Sequence, residues 1–224
     1  VTNDARGLAL ASDQIEDVGA YLRAPEPATL YRMHGNLCGA YDIANLSVRN
    51  RIGMTNRTPT GLNRGFGGPQ INYALERLMQ RTARELDMDP VQVIRRNLIG
   101  ADQFPYKTAS GATYDSGDYQ KALELALTDG RYADLIAKRD AARAEGRMYG
   151  IGLAAVVEPS VSNMGYLSTA LTPAARARSG PKNGAQSCAT ITIDPVGTVL
   201  VQLDSVPQGQ GHRTVAAMIV AREL

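Results

Sequence analysis

The chain has 224 residues, with 24 basic and 22 acidic side chains and a formal net charge of +2. That balance gives no electrostatic case for nucleic acid or an anionic membrane surface, and an apolar share of 44% is enough to build a core. Two cysteines without Cys-x-x-Cys spacing exclude the common zinc and iron–sulfur sites, and no apolar run approaches the roughly 20 residues of a membrane-spanning helix.

Along the chain, Gly7 to Ser12 reads as a strand, and Asp42 to Thr55 carries alternating apolar positions at Ile43, Leu46, Val48 and Ile52. Pro25 and Pro27 mark an extended connection between them. The strongest helix follows the turn at residue 70: Ile71, Ala74, Leu75, Leu78, Met79, Thr82, Ala83 and Leu86 recur at three- and four-residue spacing. Asp89-Pro90 starts a second helix as N-cap and first helical residue, with Val91, Val93, Ile94 and Leu98 on its buried side. Asp118 caps a third, and a fourth runs from about Tyr132 to Glu145, ending at Gly146. Beyond it, Gly150 to Glu158 is an apolar strand candidate. A hairpin is expected from Cys188–Ile193 and Thr198–Ser205 around Asp194-Pro195-Val196-Gly197. The Ser160–Gln186 stretch is long for a loop, and its Arg176, Arg178 and Lys182 read as a solvated surface or as guides for an anionic substrate or partner. A domain boundary is placed near residue 146. Cys38 and Cys188 are expected as free, buried thiols, since pairing them would need an oxidising compartment. With no secretory signal at Val1-Thr2-Asn3-Asp4, the chain is expected in the cytoplasm.

Two stretches carry the chemistry: Arg64-Gly65-Phe66-Gly67-Gly68-Pro69-Gln70 and Gln208-Gly209-Gln210-Gly211-His212-Arg213-Thr214. Each runs from a strand through bare backbone into a helix. Glycines let main-chain N–H groups approach a ligand, and a helix start favours negative charge. Arg64 offers a planar fork of donors, Phe66 a flat apolar face, and Gln208 and Gln210 both donors and acceptors. Either stretch alone also fits a tight strand-to-helix turn, or a nucleotide- or anion-binding module without redox chemistry.

The order of these segments, with Thr55-Asn56, Pro59 and Glu76-Arg77 around the first, resembles the molybdenum-binding large subunit of the xanthine dehydrogenase, aldehyde oxidase and carbon monoxide dehydrogenase family. Arg95-Arg96-Asn97, Phe104-Pro105-Tyr106 and Tyr114 to Tyr119 are similar to family segments of structural role. The resemblance implies an α+β fold: mixed helices and sheets in two partial lobes, residues 1–146 and 147–224, of a molybdopterin-binding subunit. It implies that Arg64, Gly65, Gln208, Gly209, Gln210, Gly211, His212 and Thr214 bind the cofactor, with Phe66 facing the substrate. Arg32 has the spacing of a substrate-orienting arginine in xanthine-oxidising members. The implied cofactor is molybdopterin with molybdenum, in bacteria often the cytosine dinucleotide, held by the pterin dithiolene rather than by protein ligands.

The implied activity is hydroxylation of an aldehyde or N-heteroaromatic substrate with oxygen from water, and an inactive assembly subunit is the other alternative. Iron–sulfur (2Fe–2S) and FAD groups would sit on partner subunits. The copper-containing carbon monoxide dehydrogenases have cysteine where this chain has Gly65, so that route is not expected. No catalytic residue is assigned within the chain. Glu158 ends a strand, but the family's base is a glutamate further downstream. The first residue is not Met and Val215 to Leu224 stops within an apolar helical pattern, so an internal piece or one product of a split subunit is expected.

Overall fold

The computed structural model describes residues 1–23, 33, 35–61, 63–158, 174–175 and 188–224. The prolines at 25 and 27, Arg32 and the three basic residues of the long loop lie outside these. Two compact units, Val1–Ser160 and Val161–Leu224, divide the chain. Together they form a mixed α+β set of elements, as the resemblance implies.

In the first unit, strands β1 (Ala9–Asp17) and β2 (Asn45–Gly53) pair in parallel, with Leu10 opposite Leu46, Ser12 opposite Val48 and Gln14 opposite Asn50. Alternation puts these pairs on one face. That face is apolar where Leu10, Leu46 and Val48 pack against the core, and turns polar at Gln14 and Asn50. The opposite face is charged: Asp13 pairs with both Arg49 and Arg51, the latter at 3.1 Å.

Helix α1 (Gly68–Glu85) follows the first glycine motif. Its buried residues include Ile71, Asn72, Leu75, Glu76, Met79 and Ala83, so the buried stripe is turned toward the polar pair relative to the sequence expectation. Leu78, expected inside, is 44% exposed, because Tyr41 and the 151–158 segment meet the helix on its Glu76 side. Helix α2 (Pro90–Asn97) begins as its sequence predicts: the Asp89 carboxylate accepts the Val91 N–H at 2.8 Å. A one-turn 3₁₀ helix at Ala101–Gln103 and a short ladder of β3 (Tyr106–Lys107) with β4 (Thr113–Tyr114) follow. Helix α3 (Tyr119–Asp129) is capped by Asp118, and α4 (Tyr132–Ala144) ends before Gly146, whose φ is +71°. The core joins Cys38, Tyr41 and Ile43 to Leu75, Met79, Val93, Ile94 and Leu123.

The segment 151–158 is extended and alternates in exposure, with Leu153, Ala155 and Val157 packed on that core. It was expected as a strand, yet it has no ladder partner among the described residues, so its backbone is held by side chains instead. Asn36 donates to the Val157 carbonyl at 3.3 Å, and Glu76 accepts from the Ala155 N–H. The first compact unit therefore extends past the Glu145-Gly146-Arg147 break.

Glu76 is 6% exposed and accepts the Tyr41 hydroxyl at 2.6 Å through Oε1. Its Oε2 and Asn72 Oδ1, one turn away, have no partner among the described residues. Burial raises the Glu76 carboxyl above the ordinary 4.5, and its hydrogen bonds from Tyr41 and Ala155 offset this only in part. The folded protein thus keeps this proton to higher pH than the unfolded chain does. The stability tied to it is complete below the ordinary glutamate range and is lost as pH rises through the raised value. Glu76→Gln, neutral and nearly isosteric, is expected to equal the native protein at low pH and to gain on it as pH rises toward neutrality. Urea midpoints of the two proteins across that range are the check, and parallel curves would refute it.

In the second unit, β5 (Ala189–Ile193) and β6 (Val199–Leu203) form the expected antiparallel hairpin. Its turn is built by Asp194, whose carboxylate accepts from Val196 and Thr198 at 2.9 and 2.8 Å, with Gly197 at φ +88°. Those N–H bonds to the carboxylate hold the Asp194 acid below its ordinary value. Helix α5 (His212–Glu223) follows the second glycine motif. Both thiols are free; Cys38 is buried as expected, whereas Cys188, the residue before β5, is exposed. Burial pushes the Cys38 thiol up to about 11, so it is an inert core residue.

Candidate cofactor site

The first glycine motif is a tight turn into α1. Asn63 Oδ1 accepts the Arg64 N–H at 2.9 Å, the Asn63 carbonyl accepts from Phe66 at 2.9 Å, and the Gly65 carbonyl accepts from Gly68 at 2.9 Å. Gly65 and Gly67 stand at φ +79° and +83°, conformations an L side chain adopts only with strain. Gly67 is the N-cap of α1 and makes no side-chain cap, the next residue but one is Pro69, and no acidic residue lies in the first turn. The start of α1 is therefore left to non-local partners. One is visible: a Cβ on Gly68 would run into the Glu158 carboxylate, so the absence of a side chain at 68 is what lets that acid approach the positive end of the helix.

Arg64 and Phe66 line a cavity of about 500 Å³ together with Pro69, Gln70, Gly61 and the polar end of the sheet. Gln14 and Asn50, on the inward face of β1 and β2, contribute a buried amide nitrogen and a buried amide oxygen with no partner among the described residues. A buried donor and a buried acceptor beside each other suit a ligand that itself carries both, as the edge of a pterin ring does. The sequence did not single out these two residues. Their only signal was a polar side chain on the inward phase of an otherwise apolar alternation.

The second motif is open. Gly209 and Gly211 have φ of +101° and +73°, and Gly211 is the left-handed N-cap of α5 with no side-chain cap. The Gln208 N–H is taken by Gln210 Oε1. Val215 is the first helical residue bonded back, to the Gly211 carbonyl at 3.0 Å, so the first-turn N–H groups through Thr214 face outward without intrahelical acceptors. Residues 208–211 are exposed within their unit. His212 Nδ1 lies 3.2 Å from Ser205 Oγ, two residues past the end of β6, which orients the ring and leaves Nε2 available. Ser205 went unnoticed in the sequence, where nothing distinguishes it from other strand-end serines.

The family-like segments outside the motifs are structural here. Arg95 pairs with Glu124 at 2.7 Å, Arg96 donates to the Asp4 carbonyl at 2.6 Å, and Asn97 ties three backbone groups, two of them buried. Among the described residues no cluster of three or more His, Cys, Asp or Glu could hold a metal ion, and no helix is long and apolar enough to cross a membrane.

Two family models match, both described as molybdopterin cofactor-binding domain, over residues 1–98 and 125–224. The chain is 30% identical over its whole length to the carbon monoxide dehydrogenase large chain of Hydrogenophaga pseudoflava, covering 27% of that protein. It is 28% identical over 82% of its length to the nicotine 6-hydroxylase large subunit of Paenarthrobacter nicotinovorans, covering 21% of it. The crystal structure of quinoline 2-oxidoreductase from Pseudomonas putida 86 superposes on 98% of the chain with a TM-score of 0.74 and 29% identity, covering 27% of that chain. The chain thus spans about a quarter of the length of the relatives it matches. With both glycine motifs falling inside matched regions, the chain belongs to the molybdopterin cofactor-binding domain family.

Proposed function

We propose that this chain supplies two main-chain cradles for one molybdopterin cofactor in a molybdenum hydroxylase acting on an aldehyde or N-heteroaromatic substrate. The observation that carries the reading is the pair of helix starts at Gly67 and Gly211, each preceded by glycines at positive φ and neither closed by a local side-chain cap. Such a start presents aligned N–H donors and the positive end of a helix to an anion. At the first, Arg64 and Gly65 hold the pterin side, with Gln14 and Asn50 completing its hydrogen bonds and Phe66 forming an apolar wall for a flat substrate. At the second, the N–H groups of Gly211, His212 and Thr214 receive the phosphate end, while Gln208, Gly209 and Gln210 line its approach and His212 donates through Nε2. The cofactor is assigned as the cytosine dinucleotide form.

When bound, molybdopterin supplies the redox chemistry of carbon hydroxylation, and the protein's part is to orient, polarise and exclude water. The lobes of the cradle are assigned to residues 1–146 and 147–224, with the 151–158 segment reaching back across the first. The rest of the large subunit would contribute the base glutamate and further cofactor contacts. Partner subunits would carry the 2Fe–2S clusters and FAD, in the cytoplasm. Arg32 is retained as a candidate for orienting substrate.

Metal and pterin analysis of the assembled complex tests this directly: about one molybdenum per large subunit is expected, and its absence from a complex matured with molybdenum supplied would overturn the reading. Phe66→Ala is expected to leave molybdenum content unchanged and to lower kcat/KM by about tenfold, ~1.4 kcal/mol of transition-state stabilisation, since it removes only the ring face.

A further inference from the structure

A second concavity, of about 580 Å³, lies in the first unit between α1, α4 and the Tyr149–Leu153 strand-like stretch. Its walls follow from helical spacing. Arg77, Arg81 and Arg84 recur at four and three residues on one face of α1, and Arg139 and Arg143 lie one turn apart on α4. Tyr132 and Ile136 continue the α4 face, and Val91, Ile94 and Leu153 make the floor apolar. The lining holds five guanidinium groups and one carboxylate, Asp89, which is already occupied by the Val91 N–H at 2.8 Å. Arg139 is paired with Asp140 at 2.8 Å, and Arg77 donates to Gln80 at 2.6 Å. Arg81, Arg84 and Arg143 make no ion pair among the described residues.

Unpaired like charges around a low-dielectric floor repel one another, and a multiply charged anion relieves that repulsion. Guanidinium forks bind phosphate or carboxylate in bidentate fashion and do not deprotonate near neutrality, and the two tyrosines, Tyr132 and Tyr149, with the aliphatic floor suit a flat or apolar body attached to the anion. The volume is that of a small-molecule site rather than of a macromolecular surface. We propose that this cavity binds a small polyanion, a di- or triphosphate carrying a planar ring, at a site separate from both glycine motifs. It uses no residue of either motif, so it stands whether or not the cofactor reading does.

The test uses the assembled, molybdenum-loaded complex, with inorganic pyrophosphate, ADP and uncharged adenosine as probes in calorimetric titrations at physiological salt. Saturable binding is expected for ADP and more weakly for pyrophosphate, with none for adenosine, and affinity is expected to fall as salt rises. Arg81→Gln/Arg143→Gln is expected to weaken ADP at least tenfold while leaving molybdenum content and turnover at native levels. Arg81→Lys/Arg143→Lys, which keeps the charge and loses the forks, is expected to fall between. No saturable ADP binding, or affinity untouched by the glutamine pair, overturns the site. A complex without molybdenum would instead overturn the cofactor reading, and ADP binding read in that same sample still decides this one.

Discussion

Replacing Asn97 with alanine is expected to cost the first unit about 3–5 kcal/mol, the largest stability effect of any single residue described above. The side chain is 2% exposed and fully used. Its Oδ1 accepts the Gly7 N–H at 2.6 Å, and its Nδ2 donates to the Ala5 and Val93 carbonyls, both at 2.7 Å. Alanine would strand the part-buried Gly7 N–H and at least one buried carbonyl, the latter costing ~1–3 kcal/mol, and would leave a void. Ala5 adds to the effect: it is fully buried at φ +69°, a left-handed conformation costly for alanine, and the bond to its carbonyl holds it there. Asn97→Asp is expected to lose nearly as much, because the new acceptor faces the Ala5 and Val93 oxygens. For a unit of this size the drop corresponds to roughly 10 °C in Tm. A loss below about 1 kcal/mol for alanine would mean that water replaces the amide, and would refute this account.

Gly211→Val is expected to reduce molybdenum content at least tenfold in complexes that still assemble. The residue is the N-cap of α5 with φ +73° and ψ +31°. A β-branched residue there costs ~1–2 kcal/mol or more in backbone strain, which the helix relieves by opening its first turn. The branched side chain would also stand over the N–H groups assigned to the phosphate. Among the described residues no atom lies within 4 Å of where a Cβ at 211 would fall, so the effect would not come from a clash with them. Gly211→Ala separates the two contributions: it carries most of the strain and little of the obstruction, and an intermediate metal content is expected. Native molybdenum in Gly211→Val would remove the second motif from the cofactor site.

Much of the fold could be read from the chain because its local signals agree with its packing. Asp89-Pro90 and Asp118 cap the helices they introduce, and Asp194 to Gly197 forms the turn of the hairpin. These are short-range devices, set by a side chain reaching its own neighbouring backbone. What escaped the sequence is non-local. The parallel pairing of β1 with β2 depends on the path between them, not on either strand. The inward turn of Glu76 on α1 depends on Tyr41 and Ala155, distant in the chain. Gln14 and Asn50 become a facing pair only through the register. Glycine spacing marked both main-chain turns of the candidate site, but the acid beside Gly68 comes from residue 158, with no local pattern to announce it.

That long reach from 158 to 68 bears on how the protein could be divided in the laboratory. A recombinant piece stopping at the Gly146 turn would lack Leu153, Ala155 and Val157, uncover the apolar side of α3 and deprive Glu76 of an N–H donor. Soluble expression of the first half should therefore carry the chain through Glu158, so that the last inward-facing side chain and the acid over Gly68 travel with the body they complete.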